Sequence, residues 1–349
     1  MKKTIVFSLL LVLVSSLLLA GGTPEERSVK EMHLFTDSLG RSVEIPINPE
    51  KIAPSGNVAQ LALYALAPEK LSGWSSKLST EAKTLFLSEV KDKPVFGTFY
   101  GKKANLNMEA LMASGSELVI DVGNIKGSKE DMASEIDKLS EMIGLPVIFI
   151  AADSIEDYPA MLRTLGEITG DTERAEKLSS FAKDALDYGK KLKNELKPVS
   201  VYYSPSEDGL EAVEKGSSHS ETLDYIGADN VVPITFSSSN GQVSLESLYL
   251  WDPEVILFAS PEAYENALLD GAWSILSAVK NKRVYTLSAN PYPLIDRPPS
   301  TQRLLGIYYL GYILYNDDQH ITDKTIEFYN LFYHKEIDRN EVPSLLGLN

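Results

Sequence analysis

Short apolar runs alternate with amphipathic segments in the first part of the chain. Strands are predicted at Lys51 to Ala53, Leu118 to Asp121 and Val147 to Ala151, with a helix in "VAQLALYALA" and another from Lys129 to Ile143. Apolar and polar residues alternate around a Ser-Leu-Gly turn at His33 to Pro46, which predicts a hairpin that precedes them. Strands separated by helices are typical of a mostly parallel sheet that is covered on both faces.

The segment Ser154 to Leu196 follows a different, helical pattern. One apolar stripe lies before Gly170 and a second lies after it, with charged residues on the other faces. Ser154 with Asp157 has the spacing of a capping box, and Asp171 stands where a second helix begins. This segment is therefore predicted to be a long helical connection that lies along a surface.

After Pro198 the alternation of strands and helices returns. Strands are predicted at Val199 to Tyr203, Val255 to Ala259 and Arg283 to Leu287. A helix is expected from Ser218, which forms a capping-box spacing with Glu221. A loop rich in proline leads into an amphipathic helix from Thr301 to Leu314, and terminal helices are expected after it.

One short phrase occurs once in each half. "NMEALMASGSELVID" begins at Asn107 and "SLESLYLWDPEVILF" begins at Ser244. At a constant offset of 137 residues, Glu109 aligns with Glu246, Leu111 with Leu248, and Glu117 with Glu254. The repeat predicts an α/β fold of two Rossmann-like lobes with mostly parallel sheets, joined by a long rigid interdomain helix. The predicted boundaries are 31–153 for the first lobe, 154–197 for the linking region and 198–349 for the second lobe.

The first 22 residues have the pattern of a signal peptide. Met1-Lys2-Lys3 is followed by the uncharged apolar run Thr4 to Leu19, and small residues precede the polar part of the chain. The sequence of this segment resembles a lipoprotein signal, but Gly22 stands where the lipidated cysteine belongs. Cleavage after Gly22 is expected, so the protein is predicted to be exported and to work outside the cytoplasm.

Composition excludes several classes of function. The formal net charge of −16 and the lack of a Lys/Arg cluster argue against nucleic-acid binding, and there is no cysteine for disulfides, thiolate metal sites or nucleophilic catalysis. The phosphate-binding, zinc-protease and hydrolase motifs are missing, and the four histidines do not have a metal-ligand spacing. The sequence therefore predicts neither an enzyme nor a covalently bound cofactor.

These features together resemble the helix-linked class of bacterial solute-binding proteins, which serve ABC importers for ferric siderophores, cobalamin and haem. The resemblance is carried by "DSLGRSVEIPINPEKIA", "NLNMEALMASGSELVI", "GADNVV", "VSLESLYLWDPEVILF" and "RPPSTQRLLGI" in this order. It implies that Glu109 and Glu246, one on each lobe, pair with arginines of a membrane permease that works with a cytoplasmic ATPase. The membrane would then be reached through the permease alone. The alternative for each glutamate is a solvated helix residue, which is preferred for Glu117 and Glu254.

Ligands of open α/β sheets bind beyond the carboxyl ends of the strands, and the loops at those ends are rich in Gly, Ser, Asn and aromatic residues. Arg297 resembles the cleft arginine of this family; its alternative role is an ion pair with Asp296. His219 could donate an imidazole to a chelated metal, although single histidines are more often hydrogen-bonded surface residues. The predicted ligand-binding residues are Asn57, Trp74, Phe99, Tyr100, Asn124, Tyr203, His219, Tyr292 and Arg297.

The ligand predicted from this loop composition is a metal chelate of the ferric-siderophore type. A corrinoid such as cobalamin and then haem are the alternatives within the same class of binding protein. A bare metal ion is less favoured, because His219 is the only histidine placed in a predicted cleft loop.

Overall fold

The structure is a computed structural model that describes residues 30–101, 104–233, 236, 240–287 and 290–348. The predicted signal peptide, residues 1–22, lies outside the described residues. Within the described ranges, no helix is both long and apolar enough to cross a membrane.

A two-stranded sheet comes first, as the alternation predicted. Strands β1 (Met32–Thr36) and β2 (Ser42–Pro46) are joined by a short turn. Asp37 fixes this turn, since its carboxylate accepts the backbone N–H groups of Leu39 and Arg41 at 3.0 and 3.1 Å. The same carboxylate pairs with the Arg41 guanidinium at 2.6 Å.

The first lobe is built on a parallel sheet with the strand order β3-β4-β5. Its elements in chain order are β3 (Ile52–Pro54), α1 (Asn57–Leu66), α2 (Met108–Ser114), β4 (Leu118–Gly123), α3 (Lys129–Ile143) and β5 (Val147–Ala151). All three strands are almost entirely buried, as expected of a parallel sheet that helices cover on both faces. Leu71 and Trp74 extend this lobe only through isolated parallel bridges, Leu71 with Ile52 and Trp74 with Val95.

Two helices connect the lobes, α4 (Tyr158–Thr169) and α5 (Thr172–Glu195). A 3-10 turn leads into α4 and has the predicted capping box between Ser154 and Asp157. Between the helices, Gly170 adopts a left-handed conformation with φ +80°, and Asp171 caps α5. The predicted break in the helical segment is therefore confirmed, because a left-handed glycine ends one helix before a capping aspartate begins the next.

The second lobe repeats the plan with a four-stranded parallel sheet in the order β11-β10-β6-β8 and a small antiparallel β7-β9 ribbon. Its elements are β6 (Ser200–Ser204), β7 (Glu211–Val213), α6 (Glu221–Tyr225), β8 (Asp229–Asn230), β9 (Asn240–Gln242), α7 (Leu245–Trp251), β10 (Val255–Phe258), α8 (Pro261–Leu269), α9 (Ser277–Lys280) and β11 (Val284–Thr286). The capping box predicted from Ser218 is wrong. Helix α6 begins at Glu221, whose carboxylate is bonded to other parts of the chain.

The C-terminal helices reach back to the first lobe. They are α10 (Gln302–Tyr315), α11 (Asp318–Tyr333) and α12 (Val342–Leu345). The Tyr64 hydroxyl of α1 donates to the carbonyl of Tyr333 at 3.0 Å, and the His334 ring lies 3.0 Å from the carbonyl of Tyr64. The end of the chain therefore packs across both lobes.

One continuous apolar core fills the space between the two sheets, with contributions from α1, α4, α5, α10 and α11. Two smaller cores cover the outer faces, around Leu111 in the first lobe and Leu248 in the second. Close-packed interiors resist continuous deformation. We therefore expect relative motion of the lobes to be a small hinge rather than a wide opening.

The repeated phrase forms the same unit in each lobe. Helices α2 and α7 each have seven residues, are capped by Asn107 and Ser244, and end at a left-handed residue, Gly115 or Asp252. Both pairs keep the offset, since 244 − 107 and 252 − 115 are both 137. The predicted α/β class with two Rossmann-like lobes joined by a long helix is confirmed, while the exact lobe boundaries stay a prediction.

Candidate ligand-binding cleft

Loops that follow the parallel strands of the two lobes contact each other. Helix α1 starts directly after β3, and the loop 290–301 follows β11. The Ser300 hydroxyl donates to the carbonyl of Val58 at 3.4 Å, and the amide of Gln60 donates to the Tyr292 hydroxyl at 3.5 Å. The carboxyl-end loops of both sheets therefore meet at one interface between the lobes, called the gap, which is where open α/β sheets bind ligands.

A buried carboxylate organises the second-lobe side of this gap. The Asp296 side chain is fully buried, and both of its oxygens lie near Nδ1 of His219, at 2.8 and 2.9 Å. An ionised carboxylate only accepts hydrogen bonds, so Nδ1 carries the hydrogen. In the neutral form of the ring the lone pair is then on Nε2, and 30% of the His219 side chain is exposed.

Arg297, the next residue, is held loosely. Its Nε lies 3.5 Å from Asp296 and its Nη2 lies 3.6 Å from Glu211, both longer than an ordinary hydrogen bond of about 2.7–3.2 Å. Its side chain is 42% exposed. The backbone has φ +57°, a left-handed conformation that costs a residue with a side chain about 1–2 kcal/mol. Arg297 thus has a strained backbone and a weakly paired guanidinium that lies at the gap.

Sequence reasoning missed Arg303. This side chain is only 3% exposed, lies 3.9 Å from Asp296, and donates from Nη2 to the carbonyl of Ser218, the residue before His219. The sequence does contain a signal, because Arg303 is followed by the largely apolar run "LLGIYYLGYIL" of α10. A buried arginine requires a partner, but the pattern does not reveal which acid supplies it.

The first-lobe side of the gap presents mainly neutral groups. Asn57 accepts hydrogen bonds from the hydroxyls of Ser75 and Ser76 at 2.9 and 2.8 Å. Behind them, the Ser55 hydroxyl donates to the buried carboxylate of Asp121. Burial raises the pKa of Asp121 from the usual 3.8 to about 6, against the opposing effects of Ser55 and Lys126.

Two predicted ligand contacts are wrong. Trp74 is 1% exposed, donates from its indole to the carbonyl of Val90 at 2.8 Å, and packs edge-on against Phe86. Phe99 is 3% exposed and packs edge-on against Phe96. Both rings belong to the core, because an aromatic side chain near the end of a strand buries more apolar area inward than a cleft wall would.

Four other predicted residues keep a place near the gap or its rim. Tyr100 is half-buried, and the exposed Asn124 donates to the carbonyl of Asp153 at 2.7 Å. The buried Tyr203 hydroxyl has no hydrogen-bond partner in the described part of the chain. Burial raises the pKa of Tyr292 to about 12, so this hydroxyl stays protonated. Their contact with a ligand stays a prediction.

The two glutamates predicted to dock are both exposed, in the first turns of α2 and α7. A hydrogen bond with its own backbone N–H and one with Ser244 lower the pKa of Glu246. Glu117 and Glu254 differ from this pair, because each accepts a backbone N–H at 3.0 Å, that of Glu50 and that of Ser200. Neither Glu117 nor Glu254 is therefore the solvated helix residue that the sequence favours for it, because each follows its helix and accepts a backbone N–H.

Across residues 30–101, 104–233, 236, 240–287 and 290–348, no group of three or more His, Asp or Glu side chains is arranged to hold a metal ion. The His219 imidazole and the Asp296 carboxylate that orients it make up one potential ligand and its support. This pair suits one open position on a metal that is already coordinated.

Comparison with known proteins gives a consistent result. The family model for periplasmic binding proteins matches residues 76–291, more than half of the chain. The ABC transporter solute binding protein from Sulfurospirillum deleyianum is similar, with a TM-score of 0.81 and 27% identity over 90% of this chain and 99% of that one. No curated protein is similar enough to count as a match.

Two further solved structures share the fold at lower identity. A periplasmic solute binding protein from Veillonella parvula has a TM-score of 0.75 and 24% identity, covering 91% of this chain and 98% of that one. The molybdate periplasmic binding protein MolA from Haemophilus influenzae, bound to molybdate, has a TM-score of 0.65 and 21% identity, covering 88% and 99%.

Proposed function

This chain belongs to the periplasmic binding protein family and is a solute-binding protein of an ABC transporter, and we propose that its solute is a metal chelate of the ferric-siderophore type. The resemblance noted in the sequence is thereby confirmed at the level of the family. The proposal adds that the chelate is captured in the gap between the lobes and delivered to a permease.

The observation that carries the proposal is the arrangement of His219, Asp296 and Arg297. A carboxylate that binds Nδ1 orients the ring and makes Nε2 a better metal ligand, as in carboxylate–histidine–metal arrangements. Beside it, the guanidinium of Arg297 is available for carboxylate or catecholate oxygens of a chelator, which planar donors bind in pairs. One neutral ligand and one cation match a negatively charged chelate with an open metal site.

The first lobe would close over the other face of this chelate. Helix α1 begins at the gap after Gly56 without a side-chain cap, so its first N–H groups are available to an acceptor. Ligand contacts are proposed for Asn57, Tyr100, Asn124, Tyr203, His219, Tyr292 and Arg297. Trp74 and Phe99 are left out because they are core residues without an unsatisfied polar group. Tyr203 is buried as well, and it is kept because its hydroxyl lacks a partner among the described residues.

Delivery is proposed to use Glu109 and Glu246. Both lie in the first turn of equivalent helices, one in each lobe, so a permease that binds both at once also registers how far apart the lobes are. Exposed carboxylates set encounter and register more than affinity. The double variant Glu109→Arg with Glu246→Arg should keep chelate affinity and abolish uptake; lost chelate affinity would count against the docking role.

Residues 1–22 are proposed to export the chain, after which it works in the periplasm or at the outer face of the cytoplasmic membrane. The proposal assigns no chemical reaction to this chain, since the energy for import comes from the ATPase of the transporter. It includes no covalent cofactor, and the bound metal is cargo.

A titration of the purified protein tests the proposal, followed by visible absorption for the coloured ligands and by calorimetry for molybdate, which is colourless. The ligands are a ferric catecholate, a ferric hydroxamate, cobalamin, haemin and molybdate, the last because the Haemophilus influenzae protein binds it. We expect a one-to-one complex with a ferric chelate whose band shift is lost in His219→Ala and kept in His33→Ala, an exposed histidine on β1.

The other outcomes separate the alternatives. Binding of cobalamin or haemin in place of the ferric chelates would move the assignment to a corrinoid or haem carrier. A band shift that survives in His219→Ala would remove the metal-ligand role. Binding of molybdate alone would overturn the chelate proposal.

A further inference from the structure

One carboxylate joins the linking region to the second lobe. Oε1 of Glu221, at the start of α6, accepts the backbone N–H of Ile155 at 2.7 Å, and Oε2 accepts from Nη1 of Arg303 at 2.6 Å. Ile155 is the first residue of the 3-10 turn that leads from the first lobe into α4. The Glu221 side chain therefore holds the beginning of the linking region with one oxygen and the second lobe with the other.

Arg303 continues this connection to the candidate ligand site. Its other terminal nitrogen donates to the carbonyl of Ser218 and lies 3.9 Å from Asp296. Ser218 precedes His219, and Asp296 holds the His219 ring. Arg303 therefore holds the loop that carries His219 through its backbone and through the carboxylate that orients its ring.

The surroundings make these contacts responsive to charge. Arg303 is 3% exposed and the Glu221 side chain is 22% exposed, so water screens their interaction weakly. The Nε of Arg303 is buried and has no hydrogen-bond partner among the described residues. A change in the interaction between Asp296 and Arg303 should therefore alter the interaction between Arg303 and Glu221.

We propose that Glu221 is a positioning residue that couples occupancy of the His219–Arg297 site to the first turn of the linking region. An anionic ligand that draws the Arg297 guanidinium away from Asp296 leaves that carboxylate to His219 and Arg303. Arg303 then shifts its balance between Asp296 and Glu221, and the bond from Ile155 to Glu221 changes with it. The inference rests on the proposed function, because it names the same site as the ligand site.

Coupling of this kind is reciprocal. If the ligand changes the hold on Ile155, then a force on the linking region changes the hold on the ligand by the same free energy. A permease that separates the lobes would therefore weaken the ligand site through Glu221 without contacting that site.

Amide hydrogen exchange of Ile155 measures the coupling directly, because this N–H is the one that Glu221 accepts. In the unchanged protein we expect the ferric chelate to alter the Ile155 exchange rate. In Glu221→Gln the rate without ligand should rise about five-fold, as expected for a bond weakened by about 1 kcal/mol, and the response to chelate should disappear while the chelate still binds. Glu221→Asp, which keeps the charge but is too short to span both partners, should also lose the response.

The matched control is Glu156→Gln. Glu156 lies one residue after Ile155 and pairs with Lys190 at 2.8 Å, with both side chains about half exposed. This variant should keep the response of Ile155 to chelate. An unchanged response in Glu221→Gln would overturn the proposal, and so would an equal loss in Glu156→Gln.

A second arm needs no ligand and separates this inference from the proposed function. Asp296→Asn should change the exchange rate of Ile155 in the otherwise unchanged protein but not in the Glu221→Gln background, as in a double-mutant cycle. If no chelate binds, the proposed function fails while this arm still decides the coupling. Equal effects of Asp296→Asn in both backgrounds would refute it.

Discussion

Each lobe buries one carboxylate close to the edge of its sheet that faces the other lobe, Asp121 in the first lobe and Asp296 in the second. The Asp121 carboxylate accepts a hydrogen bond from the Ser55 hydroxyl. Asp296 contacts His219 and lies within 3.5 to 3.9 Å of two guanidinium groups. The frameworks that carry these acids are alike, but their partners are not.

This difference indicates that the two lobes offer different chemical groups to a ligand. Burial destabilises the charged form of Asp121 by more than the Ser55 hydrogen bond stabilises it, so the pKa of this carboxyl is raised. A buried carboxylate among cations is stabilised by them and also orients them. The second lobe can therefore offer oriented charge and an imidazole to a ligand, while the first lobe offers neutral donors that close over it.

Removal of the second-lobe acid should have the greater consequence. Asp296→Ala removes a fully buried partner from the buried Arg303 and the exposed Arg297, so the free energy of unfolding should fall by about 3–5 kcal/mol and chelate affinity should fall with it. Denaturant unfolding and an absorption titration measure the two. Asp229→Ala breaks an exposed ion pair with Lys215 in the same lobe and should cost less than about 1 kcal/mol. Equal costs for the two variants would contradict the central position of Asp296.

Asp121, the buried acid of the first lobe, should make the free energy of unfolding depend on pH. Its pKa is about 6 in the folded protein and near 3.8 in the unfolded chain. Between these values the unfolded chain has released the proton while the folded protein keeps it, so stability is lost as the pH rises through this window. Two pKa units amount to roughly 3 kcal/mol.

Asp121→Asn, which resembles the protonated acid, should therefore match the unchanged protein at pH 4 and exceed its stability at pH 7. Chemical unfolding at several pH values gives the difference curve, in which the other titrating groups cancel. Ser55→Ala should steepen the fall in stability, because it removes the hydrogen bond that favours the charged form. A flat difference curve would show that Asp121 is paired as well as Asp296 is.

The frameworks of the two lobes could be predicted from the sequence, whereas the partners of these acids could not. Helix α3 and strand β5 begin and end at the predicted residues, because apolar spacing and caps are local signals. Asp296 meets His219 across 77 positions and Arg303 meets Glu221 across 82. No periodicity encodes such pairs, and for this reason the sequence predicts a capping box for Glu221 in place of its bonds to Ile155 and Arg303. The ligand contact predicted for Trp74 is wrong as well, because the aromatic character of this residue fits a core and a cleft equally well.

Arg297 separates the two interpretations that the sequence left open, a ligand contact and an ion pair with Asp296. The ligand interpretation predicts that Arg297→Gly lowers affinity for anionic chelates at least about ten-fold, or about 1.4 kcal/mol. Stability should stay the same or rise by up to about 1 kcal/mol, because glycine tolerates the left-handed backbone. Titration and thermal unfolding measure the two effects. Arg297→Lys keeps both the charge and the strained backbone, so its chelate affinity should lie between those of the unchanged protein and Arg297→Gly. A clear loss of stability in Arg297→Gly would favour the ion pair.

The repeated unit offers the mildest test, because here the two lobes should behave alike. Glu117 accepts the backbone N–H of Glu50, two residues before β3. Glu254 accepts the backbone N–H of Ser200, the first residue of β6, and also the Ser200 hydroxyl at 3.2 Å. Replacement of either by alanine should lower the free energy of unfolding by about 1 kcal/mol, slightly more for Glu254, with no effect on chelate affinity.

Because the two sites lie in different lobes and share no partner, the double variant should show the sum of the two losses. Denaturant unfolding of the single and double variants provides the comparison, and Glu109→Ala is the matched control in the first lobe, where an exposed glutamate should have almost no effect on stability. A loss in only one lobe would mean that the two copies of the phrase share a sequence pattern without sharing a structural role.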